Sequence, residues 1–203
     1  MIKFDTREDY VLENDVVRLT AITPADHEAL LPFSLHEPQL WQYSLFSAAG
    51  SDGLKQYIDK ALAARLKGTE YPFTVFDKRT QEFAGSTRFY DIQPGNKMLQ
   101  LGYTWYGTKF QGSGLNKNCK LLLLQFAFDE LQMERVEFRA DNRNAKSIAA
   151  MKSIGCVEEG ILRSHAVTPA GERRDSIVLS ILKNEWEGGL KEKLIEKISQ
   201  KPF

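Results

Sequence analysis

Gln111-Gly112-Ser113-Gly114-Leu115-Asn116 separates an alternating stretch, Leu99-Gln100-Leu101-Gly102-Tyr103-Thr104-Trp105, from an apolar stretch running from Leu115 to Leu131. The alternation predicts a strand, and the apolar spacing after it predicts a helix. A short glycine-bearing loop between a strand and a helix presents several backbone N–H groups at the positive end of the helix dipole, a setting that suits phosphate oxygens. Two common phosphate loops are excluded by the residues themselves. A Walker loop closes on Gly-Lys-Ser/Thr, whereas Gly112 is followed by Ser113 and Gly114; a dinucleotide fingerprint needs a third glycine where Lys117 stands. What is left suits a pyrophosphate held without a metal, or a bare strand-to-helix turn.

Outward from the loop, the punctuation of the chain is clear. Val16 to Ile22 reads as a first strand stopped by Thr23-Pro24, and Ala29, Leu30 and Phe33 after Pro24 predict a short helix. Ser51-Asp52-Gly53 introduces a second helix carrying Leu54, Tyr57, Ile58, Ala61, Leu62 and Arg65, ended by Gly68. Phe73–Phe76 and Phe83–Tyr90 predict antiparallel strands, and Pro94-Gly95-Asn96 turns the chain into the Leu99 strand. The helix after the loop is apolar on two sides, with Leu115, Cys119, Leu122, Leu123 and Phe126 on one and Leu121, Leu124, Phe128 and Leu131 on the other, as a helix covering a sheet would be. Arg135–Ala140 reads as a strand, Asn144–Ile154 as a helix closed by Gly155, and two strands flank the Thr168-Pro169-Ala170-Gly171 turn, the second being Asp175–Leu182. This order predicts an α+β (or α/β) domain on one mixed, mostly antiparallel sheet flanked by helices. No linker or repeat divides residues 1–203, so one domain is expected, with a core from about 16 to 186 and a charged C-terminal helix over 185–200.

The bulk numbers agree. The 203 residues are 42% hydrophobic and 27% charged, with 27 basic and 27 acidic side chains, so no overall field recruits nucleic acid or an anionic membrane. Met1–Tyr10 has no long apolar run, which argues against a signal peptide, and no segment is long enough to span a bilayer. Cys119 and Cys156 stand far apart without CxxC spacing or clustered histidines; neither a disulfide framework nor a metal site is expected, and a reducing cytoplasm is the expected compartment.

Gln111-x-x-Gly114-x-Asn116 resembles the Gln/Arg-x-x-Gly-x-Gly/Ala loop of the GNAT superfamily of acetyl-CoA-dependent N-acetyltransferases, departing at Asn116. The RimJ/RimL-like branch is resembled more closely, through Gly102-Tyr103-Thr104-Trp105, Arg135-Val136-Glu137, Asn142-Arg143-Asn144-Ala145-Lys146-Ser147, Gly155-Cys156-Val157-Glu158-Glu159-Gly160, Arg163 and Arg174-Asp175-Ser176. The resemblance runs from about Val16 to Trp186 and implies a GNAT-like fold whose sheet splays at the cofactor site. It implies that N–H groups from Gly112, Ser113, Gly114, Leu115 and Asn116 hold the pyrophosphate of acetyl-CoA, with Gln111 supporting the loop through its amide. Lys109, Lys117, Lys120 and Lys146 are the candidates for the distal phosphate, each set against the reading of a plain surface lysine. A backbone N–H near Leu101 or Tyr103 would polarise the thioester carbonyl, and the splayed strand would pair with the pantetheine arm; the bland reading of Gly102 is a bulge or a packing site. Asn144 would orient coenzyme A and the Ser147 hydroxyl would meet the departing thiolate, against the plain readings of a helix cap and a first-turn residue.

The general base is the awkward position. Many members of the resembled family carry Glu where this chain has Gln100, and an amide cannot take a proton. Period two puts Gln100 on one face with Gly102 and Thr104, opposite Leu101, where it can still hold a water. Glu70, Asp91 and His165 are replacement candidates. A protein without a strong base is expected to prefer α-amines, whose pKa of roughly 7.7–8.0 leaves them unprotonated far more often than a lysine near 10.4. Cys119, one turn into the helix, has a dipole that could lower its pKa but no paired histidine, so core packing is expected, and Cys156 reads as buried. His27 and His36 read as surface residues, and Trp41, Tyr43 and Phe46 as one aromatic cluster, either flooring the acceptor pocket or forming a satellite of the core. The expected activity is acetyl transfer to a primary amine by direct attack in a ternary complex, the acceptor being a peptide N-terminus; a small-molecule amine (antibiotic, polyamine or amino acid) and a non-catalytic acyl-CoA-binding module are the alternatives. Residues 33–68 are expected to shape the acceptor pocket, and a homodimer, common among look-alikes, stays open.

Overall fold

The computed structural model describes residues 4–200, so the two ends of the 1–203 span lie outside the described residues. Eight strands form one sheet in the order β1-β2-β3-β4-β5-β6-β8-β7. They are β1 (Val11–Glu13), β2 (Val17–Ala21), β3 (Tyr71–Asp77), β4 (Glu82–Gln93), β5 (Met98–Tyr106), β6 (Arg135–Asp141), β7 (Val157–Val167) and β8 (Arg173–Leu182). Every neighbouring pair is antiparallel except β5 and β6, which are parallel. Helices α1 (Asp26–His36) and α2 (Gly50–Leu66) cover one face; α3 (Leu115–Gln125) packs on the other, where Phe89 of β4 stacks on Phe126 at the end of α3. Helix α4 (Ala145–Ser153) follows β6. Strands of the centre read as near-continuous apolar runs because both faces are covered: six of the seven residues of β3 are buried.

The predicted elements are present, with four departures. The short β1 was not expected. The α3 helix ends at Gln125 but the chain keeps winding as a wider turn over Phe126–Glu130, with Leu131 N–H donating to Phe126 five residues back. The expected C-terminal helix starts earlier, at Lys183, and breaks at Gly188-Gly189, where Gly189 takes φ +108°, before resuming over Lys191–Ser199. The fourth departure positions the site. Between the pairs Ser86↔Trp105 and Arg88↔Gly102, β5 spends one residue more than β4, and Tyr103 takes φ +48°. This bulge inverts the facing of everything after it. Gln100 and Gly102 do share a face, but Thr104 lies on the opposite one, against α3, where its hydroxyl accepts from Lys120 Nζ at 2.9 Å.

The parallel ladder of β5 and β6 holds three pairs, Met98↔Arg135, Leu99↔Val136 and Gln100↔Glu137, and then stops although both strands continue. The sheet is splayed from Leu101 and Phe138 onward.

Candidate active site

The loop before α3 is built from two left-handed glycines. Gly112 has φ +78° and Gly114, the N-cap of α3, φ +82°, a region that costs a side-chain-bearing residue roughly 1–2 kcal/mol. Ser113 Oγ donates to Phe110 C=O at 2.6 Å and Arg79 Nη1 donates to Ser113 C=O at 3.0 Å, so the carbonyls are tied back. Among the described residues no hydrogen bond uses the N–H of Gly112, Ser113, Gly114 or Asn116, whereas Leu115 N–H reaches Ser113 Oγ at 3.4 Å. A Cβ on Gly112 would meet nothing within 4 Å, so the loop offers open space in front of these donors. Gln111 is a brace: its Nε2 donates to Tyr106 C=O at 2.9 Å and its Oε1 accepts from Lys146 at the start of α4. The donor set and the open loop fit a pyrophosphate.

The four candidate lysines separate. Lys109 is ion-paired with Glu82 at 2.7 Å, Lys146 is bound to Gln111, and Lys117 is half-buried on the first turn of α3. Lys120 is a correction: it is 5% exposed, its ammonium bonded to Thr104 and above the Phe138 ring at 5.9 Å, and burial pulls its pKa down to about 8. Its amine thus spans the two arms of the splay and does not reach a phosphate at the surface. On α4, Asn144 is the N-cap, its Oδ1 accepting from Ser147 N–H at 3.0 Å, and Ser147 stays half-buried with its hydroxyl outside that bond.

The other face of the splay is lined by side chains from distant segments. Gln100, 3% exposed, donates from Nε2 to Asp91 at 2.8 Å, while its Oε1 is buried without a hydrogen-bond partner. Gly102 packs under Tyr90: a Cβ there would sit 2.9 Å from the ring, which supports the packing reading of this glycine beside the bulge. Tyr90 and Tyr103 meet edge to face at 5.0 Å, and Tyr57 donates its hydroxyl to Tyr103 C=O at 3.3 Å. Arg88, buried, is sandwiched between the Tyr57 and Tyr103 rings and paired with Glu70 at 2.6 Å. Burial pushes the Tyr90 phenol well above its ordinary range.

The base candidates fare unequally. Glu70 is committed to Arg88. His165 Nε2 lies 3.4 Å from Arg139 Nη1 and its Nδ1 3.1 Å from Ser176 Oγ. A guanidinium only donates, so Nε2 carries the lone pair and points it at Arg139. Partial desolvation, then Arg139, Arg174 and Arg173, hold its pKa below the ordinary value. Asp91 is exposed and bonded to Gln100, which makes it the carboxylate nearest the expected base position. Cys119 and Cys156 are buried thiols pushed up to about 12 by desolvation, which outweighs any pull of the helix dipole at Cys119. His36 is exposed and His27 half-buried. The expected Trp41–Tyr43–Phe46 cluster is divided: Trp41 is buried against Trp105 at 5.4 Å, Phe46 packs near Tyr57 at 6.3 Å, and the Tyr43 carbonyl accepts from Arg174. Arg88, Arg174, Tyr57 and Tyr90 had no assigned role in the sequence reading. The signal for Arg88 was there, the one charged residue between Phe83 and Tyr90; Arg174 stood inside a matched motif without a role.

The family model described as the acetyltransferase (GNAT) domain matches residues 17–157. The chain belongs to the GNAT family. YdaF of Bacillus subtilis (strain 168), whose name carries the words ribosomal N-acetyltransferase, is 28% identical over 86% of this chain and 96% of its own. A crystal structure titled as a GCN5-related N-acetyltransferase from Brucella melitensis superposes with a TM-score of 0.86 at 26% identity, over 94% of this chain and 86% of that one. The RimJ structure of Mycobacterium smegmatis in complex with CoA-disulfide shares the fold, at TM-score 0.78 and 19% identity over 93% of each chain. As a GNAT acetyltransferase, the protein is an enzyme that uses acetyl-CoA, and its resemblance to the RimJ/RimL-like branch is supported. No helix among the described residues is long and apolar enough to cross a membrane, and no group of three or more His, Cys, Asp or Glu among them is placed to hold a metal.

Proposed function

We propose that this GNAT enzyme acetylates α-amines, a peptide N-terminus being the preferred acceptor. The reading is carried by Gln100: an amide, pinned at Nε2 by Asp91, leaves its buried carbonyl oxygen without a partner, and that oxygen can accept an N–H but cannot remove a proton. An acceptor must then arrive largely deprotonated. At neutral pH an α-amine meets this condition hundreds of times more often than a lysine side chain, from the difference of about 2.5 pKa units. The ribosomal label on YdaF is in keeping with a protein N-terminus.

In the proposed reaction acetyl-CoA lies in the splay with its pyrophosphate on the N–H groups of residues 112–116. The amine nitrogen attacks the thioester carbonyl; a C–N bond forms, the C–S bond breaks, and the thiolate takes up a proton. Oxygen charge in between is met by a main-chain donor of Leu101 or Tyr103. Ser147 hydrogen-bonds the leaving sulfur, Asn144 and Lys146 orient the nucleotide end, and the proton shed by the attacking nitrogen passes to water. Alignment of the two reactants contributes most, on the order of 7–11 kcal/mol.

An acceptor screen with thiol release as readout tests the proposal. N-terminal peptides should exceed lysine side chains, polyamines and aminoglycosides by tenfold or more in kcat/KM at pH 7. A preferred polyamine or lysine acceptor overturns the α-amine reading; no thiol release with any amine leaves the acyl-CoA-binding alternative standing.

A further inference from the structure

Arg174 is a buried cation whose charge nothing answers. It is 6% exposed, on β8, and crosses the acceptor face to donate from Nη1 to the Tyr43 carbonyl at 3.0 Å. Its Nε is buried with no hydrogen-bond partner, and among the described residues it forms no ion pair. The carboxylates around it are already taken. Asp141, the nearest in charge, spends Oδ1 on the Arg143 backbone N–H and Nε and Oδ2 on Arg143 Nη2; Glu137 is shared by Arg135 and Arg139; Glu70 holds Arg88. A buried charge without a partner is costly, because the solvation it gave up is not returned. The carbonyl bond ties down the Tyr43 segment, which a neutral side chain could do equally well; it explains neither the charge nor the idle Nε.

What Arg174 faces gives the reason. Its charge acts on the hydroxyls of Tyr90 and Tyr103, whose rings meet edge to face, and on His165, which Arg139 and Arg173 also hold neutral. Arg88 shows by contrast what a satisfied arginine looks like here, with one carboxylate and two rings. Gln100, whose register partner on β4 is Tyr90, carries a buried acceptor oxygen with no hydrogen-bond partner. The face thus holds an unused hydrogen-bond acceptor and a guanidinium whose Nε is unused, the complement of a molecule that carries both an amine and an anion.

Resting on the acetyltransferase reading of this face, we infer that Arg174 receives a carboxylate of the acceptor, so that the preferred amines carry a carboxylate close to the nitrogen. Free α-amino acids and peptides with Asp or Glu at the first positions share this chemistry, and cationic polyamines are rejected by it. Guanidinium forks suit carboxylates in two-point contact.

The experiment measures thiol release from acetyl-CoA by the full chain at fixed ionic strength. Glutamate and aspartate are compared with glutamine and asparagine amides, and peptides beginning Asp or Glu with those beginning Asn or Gln; the first pair tests the free amino acid, the second the peptide. Either carboxylate-bearing set should exceed its neutral partner by tenfold or more in kcat/KM, mostly through KM. In Arg174→Gln, which keeps a donor for Tyr43, that ratio should fall to near one while turnover of neutral acceptors is retained; Arg174→Lys should keep part of it. A ratio near one in the wild-type chain, or a ratio unchanged in Arg174→Gln, overturns the inference. A thermal-shift titration with N-acetylaspartate against N-acetylasparagine amide, in the presence of CoASH, reads the same subsite without turnover. Selective stabilisation by the acidic ligand, with no thiol released by any amine, keeps the subsite and rejects the α-amine proposal; no selectivity in either measurement rejects the subsite.

Discussion

The two sides of the splay are built on different principles. On the proposed cosubstrate side, five consecutive residues, 112–116, carry the main-chain N–H groups, and the side chains of Gln111 and Ser113 serve to hold the main chain in place. On the proposed acceptor side, Tyr57, Arg88, Gln100, His165 and Arg174 come from α2, β4, β5, β7 and β8, and what they present is side-chain chemistry. A ligand gripped by the backbone demands a local conformation, which needs particular residues next to one another. A ligand read by side chains demands a meeting of distant positions, each of which looks ordinary alone.

Four changes would break or sharpen that contrast. The largest effect belongs to Gly114→Val: at φ +82° a β-branched residue is strained and the N–H array is lost, so CoASH affinity should fall by a hundredfold or more in calorimetry, with circular dichroism confirming the fold. Unchanged affinity would refute main-chain recognition. Lys120→Met comes next, because Lys120 lies between the two sides. Its folded pKa, about 8, is below the unfolded value near 10.4, so the unfolded chain binds more protons between those pH values and stability from this residue rises with pH across that window. Below pH 8 the buried ammonium carries its full cost, roughly 3 kcal/mol from the shift. The variant should therefore melt higher than wild type at pH 7 and lose that advantage by pH 10.5; a constant gap would show that its charge is compensated.

Ser147→Ala should lower kcat about tenfold and leave CoASH binding nearly intact, the loss expected of one hydrogen bond to a charged sulfur, about 1.5 kcal/mol. An unchanged rate removes Ser147 from the chemistry. The smallest effect is that of Asn144→Ser, which keeps a capping oxygen for α4. The melting temperature should stay within a degree or two while coenzyme A affinity drops a few-fold; a lower melting temperature with unchanged affinity would make Asn144 a cap alone.

The strands, the helices and the Gln111–Asn116 loop were legible because each rests on local periodicity and glycine placement. The facing of Thr104 was not, since nothing in composition announces that a tyrosine, Tyr103, takes a left-handed conformation and shifts the register. Lys120 reads as a surface lysine on any helical wheel, and its burial against Thr104 and Phe138 follows from tertiary packing. Trp41, Tyr43 and Phe46 are close along the chain, yet the Pro38–Trp41 turn and the loop after it send them to three different neighbours. The break at Gly188-Gly189 was open to reading from two adjacent glycines with no side chain to favour a helix.

The three-pair ladder between β5 and β6 has a mechanical consequence. Along this seam the main chain is least cross-linked, so transient breathing of the sheet should start there, with the amides that bridge β5 to β6 exchanging faster than those in the long ladders on either side. A molecule lodged between the strands rivets two hinged leaves into one, and loading the enzyme should quiet these amides first.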